Sequence, residues 1–208
     1  MNTTSPILLR VDASARNEGS TTRRLADGVQ ARWSARHAGG RVQRRDLALD
    51  PVPHIAAATI QGFYTPPEQM SVELRRATAQ SDALIAELKA AHTVLISAPI
   101  YNFSIPSSLK AWIDHVVRIG HTFAYDNGDF RGLVKGPRAV LALAYGAGGY
   151  GGALAQMDHL RPYLTSLLSF IGITQIEVIA VEATTADADT VARNVQAAHG
   201  DIEALFPQ

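Results

Sequence analysis

Residues 92–120 read HTVLISAPIYNFSIPSSLKAWIDHVVRIG, and they hold the strand-to-helix unit that decides the fold. The apolar run from His92 to Ala98 predicts a buried strand, which Pro99 ends. A helix is expected to begin at a Ser107 cap, with apolar positions at helical spacing and a stop at Gly120. A buried strand followed closely by an amphipathic helix is typical of a parallel α/β sheet.

The same alternation continues over the rest of the chain. Strands are predicted at 6–13, 41–46, 92–98, 138–144 and 176–181. A first helix is predicted to start at Ser20 or Thr21, and further helices at 68–91, 107–120, about 162–171 and about 187–205. Residues 47–67 carry four prolines and read as irregular, and residues 121–130 read as a hairpin around Asn127-Gly128. This order predicts a flavodoxin-like, doubly wound, five-stranded parallel sheet of order 2-1-3-4-5. Without a linker or repeat, residues 1–208 are expected to form a single domain.

Composition excludes several function classes. The chain has 208 residues, 19 basic and 19 acidic side chains, and no cysteine. A neutral chain is a poor partner for nucleic acid, and the missing cysteines exclude disulfides and thiolate chemistry. No apolar run is long enough to span a membrane and no signal peptide begins the chain, so a cytoplasmic location is expected. The seven histidines show no zinc-binding spacing, so no metal site is expected.

The predicted strand order also predicts where a ligand would bind. In such sheets ligands lie outside the carboxyl ends of the strands, where the strand order reverses, which here is between the first and third strands. The loops after the first, third and fourth strands should therefore line one crevice. These are also the three loops with unusual sequences.

The first of these loops is DASARNEGSTTRRL, residues 12–25. Hydroxyl groups of Ser14, Ser20, Thr21 and Thr22 and the free amides of a helix start would suit a phosphate. The loop has neither the Gly-Lys-Ser/Thr element of a P-loop nor a G-x-G-x-x-G fingerprint. The alternative is that Ser20 and Thr21 only cap the helix.

The second loop, YNFSIP, carries two aromatic rings where loops usually carry small polar residues. Tyr101, Asn102 and Phe103 could cover and hydrogen-bond a flat ring system. The alternative is that the rings pack against the core or a partner subunit.

The third loop, YGAGGYGG, spans Tyr145 to Gly152 and has five glycines in eight residues. Glycine allows the backbone to approach a ligand closely. A merely flexible surface loop is the alternative.

At these residues the chain resembles the FMN-dependent NADH-azoreductase family, of flavodoxin-like fold. The segments that carry the resemblance over nearly the whole chain are APIYNFSIPSSLKAWID, GHTFAY at 120–125, GLVKGPRAV at 132–140 and LTSLLSFIGI at 164–173. The resemblance implies an FMN cofactor, a homodimer with two sites at its interface, and reduction of quinones and azo compounds by NADH or NADPH in a ping-pong reaction. The flavin would carry the chemistry, so no catalytic side chain is predicted.

The resemblance also implies roles for individual residues. The phosphate would be held by Ser14, Ser20, Thr21 and Thr22; the ring system by Ile100, Tyr101, Asn102 and Phe103; and the third side of the site by Tyr145, Gly146, Ala147, Gly148 and Gly149. Phe123 and Phe170 would be substrate-binding aromatics, the latter lent by the partner chain. Two departures stand out: Thr22 replaces a common serine, and YGAGG lacks the Ser and Arg of the usual Ser-Arg-Gly-Gly turn.

Other functions remain to be weighed. A non-enzymatic electron carrier of flavodoxin type is the main alternative, although such carriers are often strongly acidic and this chain is neutral. A receiver domain would need a phosphorylatable Asp after the third strand, where this chain has Pro99 and Tyr101. His121 could donate a proton, but a solvent-exposed histidine is the favoured interpretation. The sequence does not separate NADH from NADPH.

Overall fold

A computed structural model describes residues 5–206 of the chain. Within that range the elements follow in the order β1 Ile7–Asp12, α1 Thr21–Arg36, β2 Arg41–Asp46, α2 Ala57–Tyr64, α3 Val72–Ala90, β3 Thr93–Pro99, α4 Ser107–Val116, β4 Phe123–Asp126, β5 Asp129–Gly132, β6 Arg138–Ala144, α5 Arg161–Ile171, β7 Ile176–Val181 and α6 Ala188–Leu205.

Five of these strands form one parallel sheet in the order β2-β1-β3-β6-β7, which confirms the predicted topology. The strands of the sheet lie within about two residues of their predicted positions. The two remaining strands, β4 and β5, form a separate antiparallel hairpin whose turn is Asn127-Gly128, as predicted. Both turn residues have positive φ, +53° and +92°, a conformation that Asn and Gly tolerate best.

Helices cover both faces of the sheet. Along β1, Leu8 packs with α1 and α6, whereas Leu9 packs with α3, α4 and α5. Successive strand residues point to opposite faces, so a strand covered on both sides is mostly apolar; in β1 the buried exceptions are Arg10 and Asp12. The buried indole of Trp33 donates to the hydroxyl of Thr93 at 3.0 Å, which fixes α1 against β3.

Three predicted elements differ from the structure. The helix predicted from residue 68 begins only at Val72, after a short turn at Pro67–Gln69. The proline-rich stretch contains α2, which packs so closely on α3 that a Cβ on Gly62 would lie 2.5 Å from the Thr78 side chain. Helix α4 ends at Val116 rather than at Gly120. There the Thr122 hydroxyl accepts from the Arg118 N–H at 2.9 Å and donates to the Val116 carbonyl at 2.7 Å, so a side chain satisfies the last turn.

Candidate functional site

The three unusual loops meet in one cleft of about 290 Å³ at the carboxyl edge of the sheet. They are the β1–α1 loop (residues 13–20), the β3–α4 loop (100–106) and the β6–α5 loop (145–160). A fourth, the β7–α6 loop (182–187), completes the cleft. The lining residues are Ser14, Arg16, Gly19, Ser20, Thr21, Thr22, Arg24, Pro99, Ile100, Tyr101, Ala144, Gly146, Thr184, Thr185 and Val191.

The β1–α1 loop places all four predicted hydroxyl residues on the cleft. Ser20 is the N-cap of α1, and its Oγ accepts from the Arg23 N–H at 3.4 Å and lies 3.1 Å from the Thr22 Oγ1. Ser14 Oγ accepts from the Arg16 N–H at 3.2 Å. Ser20 therefore caps the helix, as one interpretation predicted, and also lines the cleft, where its binding of a phosphate stays a prediction. The start of α1 also brings a partial positive charge to the cleft.

Two arginines at the cleft were missed by the sequence interpretation. Arg16 and Arg24 are exposed and line the cleft beside Ser20. Among residues 5–206 no carboxylate forms a salt bridge with either guanidinium. The run RNEGSTTRR at residues 16–24 was the available signal, because basic residues on both sides of a helix start favour an anion.

Beneath the β1–α1 loop lies a buried cluster of charges. Asp12 is fully buried and accepts from the Nε of Arg10 at 3.0 Å, the Nε of Arg44 at 2.7 Å and the Ser97 hydroxyl at 2.7 Å. Buried charges are tolerated when each is paired and hydrogen-bonded in this way. The cluster ties β1, β2 and β3 together directly below the cleft.

The β3–α4 loop exposes its rings instead of burying them. Tyr101 is 38% exposed and Phe103 42% exposed. Ile100 and Tyr101 line the cleft, while Asn102 and Phe103 form the turn beyond it, with φ of +48° and +70°. Positive φ is strained for Phe, and such strain often marks a functional segment. Paired backbone bonds between Tyr101 and Ser104, at 2.9 and 3.0 Å, hold this turn.

The glycine-rich β6–α5 loop is bonded to the β7–α6 loop and is not a loose surface loop. The carboxylate of Glu182 accepts from the N–H groups of Gly149 at 2.7 Å and Tyr150 at 3.1 Å. The hydroxyls of Thr184 and Thr185 donate to the carbonyls of Tyr145 and Gly146 at 3.1 and 2.9 Å.

The five predicted residues of this loop lie in different places. Gly146 lines the cleft, and Ala147, Gly148 and Gly149 follow it along the loop beyond the lining. The Tyr145 side chain is instead in the core, where its hydroxyl donates to Asp158 at 3.1 Å. Burial, reinforced by the Asp158 carboxylate, raises the pKa of Tyr145 well above its usual range. Only the backbone of Tyr145 is available near the cleft.

The two predicted substrate aromatics lie together at the other end of the molecule. The rings of Phe123 and Phe170 are 4.8 Å apart. Helix α5 starts at the carboxyl edge with Arg161, so Phe170, nine residues further along the helix, lies roughly 14 Å down toward the amino edge. Neither ring lines the cleft of its own chain.

His121 lies near that same amino edge and not at the cleft. The interpretation of His121 as a solvent-exposed histidine is wrong, because the residue is partly buried. It lines a second hollow of about 680 Å³ together with Tyr64 and Arg118. Burial and then the Arg118 charge lower the pKa of His121.

Two further features of residues 5–206 concern metals and membranes. Their His, Asp and Glu side chains form no group of three or more that could hold a metal ion. No helix in this range is long and apolar enough to cross a bilayer.

Comparison with known proteins places the chain in a family. The model of a family described as having a flavodoxin-like fold matches residues 7–206. An FMN-dependent NADH:quinone oxidoreductase of Xanthobacter autotrophicus is 60% identical over 173 residues, covering 82% of this chain and 83% of that protein. A protein of the same name from Azotobacter vinelandii is 43% identical over 175 residues, covering 84% and 86%.

Solved structures agree on the fold. An azoreductase from Bacillus anthracis superposes with a TM-score of 0.89 at 24% identity, covering 97% of this chain and 98% of that one. An FMN-dependent NADH-azoreductase of the same species, in complex with FMN, gives 0.84 at 19% identity, covering 97% and 100%. The predicted resemblance is confirmed: the chain belongs to the family of FMN-dependent NADH:quinone oxidoreductases, within the flavodoxin-like fold.

Proposed function

We propose that this protein binds FMN in the cleft at the carboxyl edge and uses NADH to reduce quinones. The observation that carries the proposal is that one cleft combines a cationic, hydroxyl-rich end at Ser20, Arg16 and Arg24 with an aromatic end at Tyr101. The two ends of FMN match the two ends of the cleft, because FMN has a phosphate at one end and a flat ring system at the other. The names of the relatives, FMN-dependent NADH:quinone oxidoreductases, agree with this assignment.

The residues present fit the cofactor at each part of the cleft. The phosphate would meet the amides at the start of α1, the hydroxyls of Ser14, Ser20, Thr21 and Thr22, and the guanidinium groups of Arg16 and Arg24. The ring system would lie by Ile100 and Tyr101, with Asn102 and Phe103 at its edge. The backbone from Tyr145 to Gly149 would close the third side, held in place by Glu182. These contacts are the proposed roles of the predicted site residues.

The chain itself binds and orients the reactants. A bound FMN supplies the redox chemistry, which is two-electron exchange between the nicotinamide and the quinone. Tyr101 and Phe103 exclude water from one side of the cleft, and the β6–α5 loop covers another. NADH and the quinone would use the remaining open face in turn, which gives ping-pong kinetics. Azo compounds, which are also flat and aromatic, are proposed as alternative acceptors.

We also propose that the site is completed by a second copy of the chain. A hollow of about 270 Å³ near the amino edge is lined by Tyr64, Ile119, Phe123, Tyr125 and Phe130. Tyr64 is 76% exposed and Phe130 62% exposed, and exposed aromatic patches of this kind mark interaction surfaces. The pair Phe123–Phe170 lies far from the cleft of its own chain, so it can serve as a substrate aromatic only at the cleft of a partner.

Sedimentation tests this homodimer. The wild-type chain is expected to sediment at twice its mass of 22.3 kDa, and Phe130→Asp at the monomer mass with weakened quinone reduction. Val72→Asp, at a still more exposed apolar position outside that hollow, should stay dimeric. A monomeric wild-type protein with full activity would contradict the proposal. A cytoplasmic location and a single domain over residues 1–208 remain parts of the proposed account.

Steady-state kinetics test the enzyme and separate it from an electron carrier. Rates measured over a grid of NADH and quinone concentrations should give the parallel double-reciprocal lines of a ping-pong reaction. Intersecting lines would contradict the proposed order of binding. A flavin-loaded protein that NADH does not reduce, but that a separate reductase does, would instead favour the flavodoxin-type carrier.

A further inference from the structure

Arg23 lies in the first turn of α1, buried under the β1–α1 loop, and all three of its guanidinium nitrogens donate hydrogen bonds. Its Nη2 donates to the carbonyl of Ser14 at 2.9 Å, and its Nε to the carbonyl of Arg16 at 2.9 Å. Nη1 and Nη2 also form a bidentate salt bridge with the carboxylate of Asp46 at the end of β2, in which Nη2 lies 2.8 Å from Oδ1. The side chain thus connects the loop to the edge strand.

These contacts determine which way the loop amides point. In a planar trans peptide the carbonyl of one residue and the N–H of the next point in opposite directions. Because the carbonyls of Ser14 and Arg16 point at Arg23, the N–H groups of Ala15 and Asn17 point away from it. The Ala15 N–H confirms this direction, since it lies 3.3 Å from the hydroxyl of Tyr101, a residue of the cleft lining.

Arg23 differs in kind from the two arginines of the cleft. It is 7% exposed, paired with Asp46, and absent from the cleft lining, so it is not placed to touch a phosphate. Arg16 and Arg24 face the cleft and have no salt-bridge partner among the described residues. A buried guanidinium that binds two loop carbonyls and a carboxylate in a fixed fork positions the backbone.

We propose that Arg23 is a positioning residue that holds residues 14–17 with the carbonyls of Ser14 and Arg16 turned inward and the amides of Ala15 and Asn17 turned toward the cleft. The inference rests on the proposed FMN site. It predicts that Arg23 acts on the phosphate of the ligand selectively, because the aromatic end of the cleft is built by other loops.

The test compares FMN with riboflavin, which has the same ring and ribityl chain but no phosphate. Fluorescence titrations of both flavins are made with wild type, Arg23→Gln and Arg45→Gln. Arg45 is a matched control: it lies in β2 next to Asp46 and forms a bidentate pair with Glu87, but binds no loop carbonyl. Arg23→Gln should weaken the binding of FMN about 30-fold and the binding of riboflavin by less than about twofold. Arg45→Gln should change the binding of neither flavin.

Equal weakening of both flavins by Arg23→Gln, or no weakening of either, would overturn the inference while leaving the proposed FMN site intact. Wild-type protein that binds neither flavin would overturn the proposed function and this inference with it. If Arg23→Gln does not fold by circular dichroism, Arg23→Lys replaces it. A lysine keeps the salt bridge with Asp46 but cannot also donate to the two loop carbonyls. The affinity for FMN should therefore fall about tenfold while that for riboflavin stays nearly unchanged. An equal fall in both affinities would contradict the proposal.

Discussion

The hydroxyl of Tyr101 lies 3.3 Å from the backbone nitrogen of Ala15, so the aromatic β3–α4 loop is bonded directly to the β1–α1 loop. The Tyr101 hydroxyl accepts from the Ala15 N–H, which belongs to the loop that Arg23 holds from below. Loss of that hydroxyl is therefore expected to be felt at the phosphate end of the cleft.

Tyr101→Phe should weaken FMN binding about threefold to tenfold, because it removes the bond that joins the loops while keeping the ring. The free energy of unfolding should change by less than about 0.5 kcal/mol, since the Ala15 N–H is exposed and water replaces the hydroxyl. Flavin titration and urea unfolding measure the two quantities. Tyr163→Phe, at a partly buried tyrosine outside both the cleft and the proposed dimer surface, is the control; an equal loss of FMN affinity there would contradict a specific role for Tyr101.

Ser20→Asp separates helix capping from phosphate binding. Asp caps helices as well as Ser does, so the free energy of unfolding should change by less than about 1 kcal/mol. A carboxylate at the cleft should repel a phosphate, so FMN affinity should fall by about 100-fold or more. Ser71→Asp makes the same change at the N-cap of α3 and should leave FMN binding unaffected. Unchanged FMN affinity in Ser20→Asp would mean that Ser20 only caps the helix.

Asp46 should make stability depend on pH at the acid end. The hydrogen bond from Arg23 lowers the pKa of Asp46 to about 2, below its ordinary value of 3.8. A lowered folded-state pKa contributes stability above the unfolded pKa, and that stability is lost as the pH falls toward 2. At about pH 6 the contribution is about 2 kcal/mol, and roughly half of it is gone by about pH 3.

Urea unfolding of wild type and Asp46→Asn at both pH values measures this contribution. The difference in free energy of unfolding between the two proteins should shrink by about 1 kcal/mol from about pH 6 to about pH 3. A difference that stays constant across that range would show that the Asp46 carboxylate is not held ionised by Arg23.

Glu182→Ala should loosen the glycine-rich β6–α5 loop without disturbing the sheet. The substitution removes the acceptor of the Gly149 and Tyr150 amides, so hydrogen exchange in a peptide spanning 145–152 should become about tenfold faster or more. FMN affinity should fall because the third side of the cleft is no longer preorganised. Glu203→Ala, which removes a surface ion pair with Arg32, should leave exchange in that peptide unchanged. If Glu182→Ala also leaves it unchanged, the carboxylate does not order the loop.

The inner strands of the sheet could be predicted closely because they are mostly apolar and bounded by polar or proline residues, whereas β2 was predicted as a polar edge strand. Helix α2 could not, since its stability comes from the close approach of Gly62 to Thr78 on another helix. The prolines around this helix indicated only an irregular segment. The end of α4 was missed for a similar reason, because Thr122 ends it through side-chain bonds rather than through a glycine cap.

The position of the cleft could be predicted from the strand order, because in a doubly wound sheet the loops at the point where the strand order reverses always lie next to one another. What the sequence could not supply were contacts between distant segments. From the sequence alone Arg23 would be taken for a surface residue of an amphipathic helix. Its burial depends on contacts with Asp46 and with the carbonyls of Ser14 and Arg16, which only the fold brings together. Thr184 and Thr185 were missed because they bind backbone carbonyls of another loop.

The most direct test of the central claim is the visible absorbance of the purified chain after incubation with FMN and desalting. The account predicts a retained flavin spectrum at about one FMN per chain, bleached by NADH without oxygen and restored by a quinone. A chain that stays colourless after desalting and shows no FMN binding by titration would contradict it. Tyr101 would then be an ordinary surface ring and the cleft would have another ligand.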